Sequence, residues 1–552
     1  MEKGKNNSLN GLYQQTFAEH RNFKIFSDYE GESRTYGEVA GMISKIHHFF
    51  QSGGIKAGDR VALLGRNSSN WGIAFLATVS YGAVAVPVLP DFNPADIHHI
   101  ITHSESRFLF VADPFLEKLN KEDLAGLDGA INLVSFEPVF LKTDLLAGAW
   151  VQAGEAAKNF SIGHFSLPEL DAGHMCVISY TSGTSGFTKG VMLTAGNLLS
   201  NLTFARDHMP LKPGDRIVSF LPMAHVFGLL FEFLFPVTLG CHITFLTKAP
   251  TPPVIVKAFR EVRPQLILSV PLVIEKIYKK QIQPKIQTPL MRILLRTPLI
   301  SPVIRRKVRQ KLTETFGGEF FELVIGGAAL SSEVEKFFRK ISFPFTIGYG
   351  MTECAPLISY DAWNTTRPFS AGKLVDRMEV KIDSPDPFKQ PGEILVRGEN
   401  VMLGYYKNEE ATRQAIDPDG WLHTGDLGII DRDQYIYIKG RCKNMLLGPS
   451  GQNIYPEEIE IKLSNQPFVL ECVVIERESR LVALVFPDAE SMQEHQITKE
   501  QLPAIMETNR NAVNRDLPRY SQISRIDLVD KEFEKTPKRN IRRYKYTGAT
   551  TK

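Results

Sequence analysis

Tyr180-Thr181-Ser182-Gly183-Thr184-Ser185-Gly186-Phe187-Thr188-Lys189-Gly190 is the stretch on which the reading of this chain turns. The apolar run 175–180 before it reads as a buried strand. Residues 191–194 read as a returning strand, and an apolar-periodic helix starts at Asn197. Between the strands, glycines let the backbone approach a ligand closely. Hydroxyls and N–H groups supply donors, and Lys189 supplies a positive charge, a combination that suits phosphate. The Walker pattern does not apply. Counted from Gly183, its second glycine falls on Thr188, and Lys189 is followed by Gly190 instead of Ser or Thr. A Gly/Ser linker is the plain alternative, but the stretch is short, carries a lysine and lies between two apolar runs.

At 552 residues, with 43% apolar and 23% charged residues, the chain reads as a globular protein of two or more domains. A net charge of +3 gives no reason to expect nucleic acid as a partner. Cys176, Cys241, Cys354, Cys442 and Cys472 are scattered, which argues against a zinc site or disulfide framework and fits a reducing cytoplasm. The first residues carry no apolar core, so no secretory signal is expected. The greasiest stretches, 74–90 and 226–240, are broken by Pro87 and Glu232 and are too short for a spanning helix.

Along the chain, helices are expected at 35–52, 71–81 and 94–104, and strands at 61–64, 83–88 and 108–111. This alternation predicts a parallel α/β sheet. Residues 115–170 are harder to place and read as a surface excursion. Strand 217–221 ends at Pro222, just before His225. Residues 323–329 read as a strand running into small residues. Residues 276–311 hold eleven Lys and Arg, no Asp or Glu, and interleaved Leu and Ile. That pattern predicts contact with an anionic membrane surface rather than a merely solvated face.

Further signatures follow the loop: Tyr349-Gly350-Met351-Thr352-Glu353, Gly420-Trp421-Leu422-His423-Thr424-Gly425-Asp426, and Lys439-Gly440-Arg441-Cys442-Lys443. With the loop, and in this order, they resemble the adenylate-forming (AMP-binding) enzymes, which include acyl-CoA synthetases, luciferases and peptide-synthetase adenylation domains. The likeness covers nearly the whole chain and is nearest to long-chain fatty acid–CoA ligases. It implies a large α/β N-terminal domain of stacked mixed and parallel sheets with a β-rich subdomain, residues 1–440. A small mobile α+β domain, 441–552, would turn about a hinge near Lys443. The implied nucleotide contacts are Thr181, Ser182, Gly183, Thr184, Ser185, Gly186, Thr188 and Lys189, then Gly326, Gly327 and Ala328, then Tyr349, Gly350, Met351 and Thr352, with Asp426 and Arg441. Thr184 and Glu353 are the implied Mg²⁺ ligands, hard oxygens such as that ion prefers. His225 would border the carboxylate substrate, although a lone histidine also suits a core. Phe227, Gly228 and Leu229 are assigned to an acyl pocket, with plain core as the other reading. Gly448, Ser450 and Gly451 resemble the lining of a CoA channel.

One departure stands out. Where the family carries a C-terminal catalytic lysine, this chain has Asn540, with Lys538 and Arg539 just before it. Lys538 is the expected substitute. The resemblance implies activation of a long-chain fatty acid by Mg·ATP and thioester formation with CoA, in the cytoplasm or at the inner face of a membrane. Acyl transfer to a carrier-protein phosphopantetheine stays open, as does a weakly active or regulatory relative.

Overall fold

The computed structural model describes residues 8–182, 188–286, 288–298, 300–447, 453–477, 480–536 and 541–546. Its centre is an eight-stranded sheet. The strand order is Gly404–Tyr405, Thr188–Thr194, Met175–Ser182, Val84–Val88, Arg60–Leu64, Ser106–Val111, Gly129–Asn132 and Pro138–Leu141. The strands from Met175–Ser182 to Gly129–Asn132 are parallel, and both edges are antiparallel. Helices pack on it for local reasons. Thr35 accepts from the Glu38 N–H at 3.2 Å while the Glu38 carboxylate accepts from the Thr35 N–H at 2.7 Å, a reciprocal cap opening Tyr36–Ser52. Ser68 caps Ser69–Tyr81, which ends at Gly82 with φ 92°, a left-handed turn that favours glycine. The helix expected from Asn197 begins two residues earlier, at Ala195 behind the Thr194 cap.

The excursion expected over 115–170 is instead part of the sheet. Gly129–Asn132 and Pro138–Leu141 extend its edge, and helix Asp144–Lys158 packs Leu146, Ala149 and Ala153 inward. Four-residue strands are too short to show a period, which is why the stretch reads as irregular.

Four further sheets complete the N-terminal part. One is the parallel set Leu266–Ser269, Glu322–Ile325 and Phe345–Ile347. At its lower end Glu322 is buried, accepting from the Tyr360 hydroxyl at 2.5 Å and the Trp363 N–H at 2.6 Å. Burial pushes its carboxyl up from the ordinary 4.5 to about 7, although both hydrogen bonds favour the charged form. Between those values the folded chain keeps a proton that the unfolded chain has released. Stability should therefore fall as pH rises from 4.5 to 7, by up to about 1.4 kcal/mol per unit from this group. Melting temperatures of the wild type and Glu322→Gln across that window should differ in slope, the variant being flatter.

The C-terminal part is α+β. It has the sheet Val469–Arg477, Arg480–Pro487 and Arg525–Leu528 with helices Pro456–Ser464 and Leu502–Arg515. Its core is separate, built from residues between Ile454 and Phe533, whereas the main core ends at Ile436.

The basic segment 276–311 is not uniformly available to a membrane, as the sequence suggested. Ile277, Tyr278 and Ile282 are buried. Lys280 pairs with Glu490 at 2.8 Å and Lys279 donates to the Ser464 carbonyl at 3.4 Å, so this end faces the C-terminal part. Only the later portion presents its apolar residues outward. No helix among the described residues is long and apolar enough to cross a membrane.

Candidate active site

The quoted stretch forms the top of an antiparallel hairpin, with Tyr180 opposite Gly190, Thr181 opposite Lys189, and Ser182 opposite Thr188. A side chain at Gly190 would meet the Ile178 methyl at 2.8 Å, so the close pairing needs glycine. Gly183, Thr184, Ser185 and Gly186 lie outside the described residues, as do Gly448, Ser450 and Gly451, and Lys538 and Asn540. The Thr188 hydroxyl is buried with no hydrogen-bond partner among the described residues. A buried donor left this way calls for a ligand oxygen.

A cavity of about 1850 Å³ opens beside the hairpin, between the N- and C-terminal parts. Thr181, Thr188, Lys189, His225, Phe227, Gly326, Gly327 and Ala328 line it. So do Tyr349, Gly350, Met351, Thr352, Glu353, Asp426, Arg441 and Lys443. Thr181, Thr188, Lys189, the 326–328 and 349–352 stretches, Asp426 and Arg441, all expected to meet nucleotide, are thus brought together.

Two contact sets organise the cavity. In the first, strand Gly404–Tyr405 pairs with Thr188–Thr194 and carries Tyr405 to the loop. The Tyr405 hydroxyl donates to Glu353 Oε1 at 2.9 Å, and Lys189 Nζ lies 4.7 Å from the Tyr405 ring centroid. Tyr405 thereby joins the loop cation to the carboxylate. None of the sequence signatures includes it. Its signal is weak, because the pairing that recruits it spans more than two hundred residues. Glu353 itself follows a tight turn in which a side chain at Gly350 would lie 2.0 Å from the Pro356 carbonyl oxygen. Only glycine fits there.

In the second set, Asp426 is buried. It accepts from the Tyr349 hydroxyl at 2.7 Å, and Arg441 Nε approaches its other oxygen at 2.7 Å. Burial pushes the Asp426 carboxyl up, against the Arg441 charge and the Tyr349 hydrogen bond, which hold it down. Desolvation and the neighbouring Asp426 charge raise the Tyr349 phenol well above its ordinary value. Arg441 sits directly opposite Asp426 in antiparallel register, so the sheet builds this pair.

The His225 loop is fixed from behind. Asn67 bonds the Ser219 hydroxyl at 3.0 Å and the Leu221 carbonyl at 2.7 Å, and accepts from the Met223 N–H at 3.0 Å. Glu232 accepts from the Phe220 and Leu221 N–H groups, each at 3.0 Å. In the sequence Glu232 merely broke an apolar run. It is in fact fully buried in a π-helical turn, Gly228–Leu234, and burial pushes its carboxyl well up. His225 Nδ1 accepts from the Phe227 N–H at 3.3 Å, which assigns the ring proton to Nε2.

The three residues assigned to the acyl pocket are placed differently. Phe227 lines the cavity, its ring close to Gly326, where an added side chain would sit 3.1 Å away. Gly228 and Leu229 are buried and do not line it, whereas Phe231 does. The helical turn explains this, since residues four apart share a face and residues two apart do not. Met209, Leu268, Val324 and Leu357 continue this apolar wall. From the C-terminal side, Arg543 also reaches the cavity but is held by both Glu460 oxygens at 2.6 Å. Arg543 is thereby engaged within the C-terminal part.

The cavity therefore combines hydroxyls and a lysine on the hairpin, a carboxylate beside them, a buried acid paired with an arginine, and a second α+β part across from them. The chain belongs to the adenylate-forming, AMP-binding enzyme family. The AMP-binding enzyme profile matches residues 13–406, and that of the AMP-binding enzyme C-terminal domain matches residues 444–549. Among similar proteins, the peroxisomal long chain acyl-CoA synthetase 7 of Arabidopsis thaliana is 30% identical over 493 residues, 83% of this chain and 69% of that one. A long-chain-fatty-acid–CoA ligase of Escherichia coli is 28% identical over 502 residues, 85% and 82% of the two chains. The fold matches that of ATP-bound MatB from Rhodopseudomonas palustris with a TM-score of 0.76, 22% identity, and coverage of 98% and 99%.

Proposed function

We propose that the chain activates a long-chain fatty acid with Mg·ATP and passes the acyl group to the thiol of CoA. The observation that carries this reading is that one cavity is lined both by Lys189, Glu353 and Asp426 and by Phe227, Phe231, Leu268 and Val324. A polar head and a greasy tail are accommodated together. In the first step a fatty carboxylate oxygen attacks the α-phosphorus of ATP; the bond to the bridging oxygen breaks and pyrophosphate leaves with its electron pair. In the second, a thiolate attacks the acyl carbonyl and AMP leaves.

The residues act by position and charge rather than by covalent catalysis. Lys189 and the Thr188 hydroxyl meet phosphate oxygens. Tyr349 and Asp426 hold the nucleoside, Asp426 accepting from the ribose hydroxyls. His225 Nε2–H faces the incoming carboxylate. Glu353 would supply one carboxylate oxygen to a Mg²⁺ ion, which prefers hard oxygen ligands of this kind beside nucleotide phosphates. When bound, that ion would neutralise charge on the phosphates; Tyr405 would hold the Glu353 carboxylate in place. Lys443, within the short helical turn Cys442–Asn444, is the proposed hinge, with the small domain beyond it.

ATP–pyrophosphate exchange across a series of fatty acids tests the substrate. Exchange rising with chain length supports the reading; exchange confined to short or aromatic acids removes the fatty-acid assignment. A second reading, a weakly active or regulatory relative, is favoured by Asn540 and by the engagement of Arg543 with Glu460. It predicts ATP binding without exchange for any acid.

A further inference from the structure

The later part of the basic segment forms two helices, Pro289–Arg296 and Ser301–Thr315, that pack on each other. Their inner side is seated in the fold, with Ser301 and Leu312 buried. Their outer side is unusual. Leu290 is 68% exposed, Ile293 63%, Ile300 42% and Val303 55%. Leu290 and Ile293 are three apart and share a face of the first helix. Along the second, Val303, Lys307 and Lys311 recur every four residues, so the apolar start runs into a basic ridge on one face. Lys285, Arg306, Lys307 and Lys311 are all exposed, and none forms an ion pair with a described residue.

Four large exposed apolar side chains clustered in 14 residues are costly in water without a partner. The basic rim, against which the second helix sets one exposed carboxylate, Glu314, selects a negatively charged one. We propose that this helix pair docks on an anionic lipid surface. Leu290, Ile293, Ile300 and Val303 enter the headgroup–acyl boundary, and Lys285, Arg306, Lys307 and Lys311 meet lipid phosphates. Aliphatic side chains beside cations match the acyl and phosphate layers of an anionic bilayer, whereas a nucleic acid would leave the four aliphatic side chains in water. The docking does not depend on the proposed reaction. Its consequence does: a fatty acid dissolved in a membrane would reach the enzyme without crossing water.

The test uses the full chain without substrates, so it stands or falls separately from the catalytic reading. Co-sedimentation is measured with phosphatidylcholine vesicles, with and without phosphatidylglycerol. Binding to the anionic vesicles at low salt, little to the neutral ones, and release at high salt are expected. Lys307→Gln with Lys311→Gln should lower the partition about 30-fold, about fivefold for each cation. Leu290→Ser with Ile293→Ser should also weaken it, while melting temperature stays unchanged because all four side chains are exposed. Failure of the wild type to bind anionic vesicles at low salt overturns the proposal. So does unchanged binding by both double variants, or retention by nucleic acid in place of vesicles.

Discussion

Glu353→Gln is expected to slow acid-dependent ATP–pyrophosphate exchange by about 10²–10³-fold and to raise the magnesium concentration needed for half-maximal rate. Glutamine keeps the shape of the side chain and can still accept the Tyr405 hydroxyl, which in the wild type donates at 2.9 Å. The backbone is held independently, since the Met402 N–H donates to the Glu353 carbonyl at 2.8 Å. What is lost is the anionic oxygen proposed to hold the ion against the phosphates. A shift in the magnesium requirement separates this role from a merely structural one. Tyr405→Phe, which keeps the ring near Lys189 but loses the hydrogen bond to Glu353, should shift the same requirement by less. Wild-type magnesium dependence in Glu353→Gln would contradict the assignment.

Asp426→Ala comes next in size. It should lower kcat/KM for ATP by about 10–100-fold, as expected for lost hydrogen bonds to a charged acceptor. KM for the acid should change little. The fold should tolerate the change, because the Arg441 side chain left behind is 53% exposed and can be hydrated. Asp426→Asn retains one acceptor oxygen and should fall between the two. An unaltered KM for ATP in Asp426→Ala would remove Asp426 from the nucleoside site.

What could be read from sequence alone follows from how local each signal is. The hairpin around Lys189, the Gly350 turn before Glu353 and the Asp426–Arg441 neighbourhood each sit within a short motif whose residue types carry the chemistry. The alternation of strands and helices over residues 35–111 shows as period, so the parallel sheet was legible. Three features were not. Tyr405 meets Glu353 only because strand Gly404–Tyr405 pairs with Thr188–Thr194, a contact no local pattern announces. Phe231 lines the cavity where Gly228 and Leu229 do not, because the turn winds as a helix, a geometry that an apolar run broken only by Glu232 does not announce. Lys279 and Lys280 look like the rest of the basic segment, yet they face acceptors in the C-terminal part, because charge density does not say which partner a lysine meets.

The most direct measurement is AMP release from Mg·ATP with a long-chain fatty acid, in the presence and absence of CoA. Release that requires the acid and is driven to completion by CoA, with acyl-CoA formed in equal amount, is the predicted result. Pyrophosphate exchange without CoA-dependent AMP release would point to a different thiol, which a carrier-protein phosphopantetheine would then reveal. No acid-dependent exchange or AMP release with any fatty acid, from folded protein that binds ATP, would contradict the account.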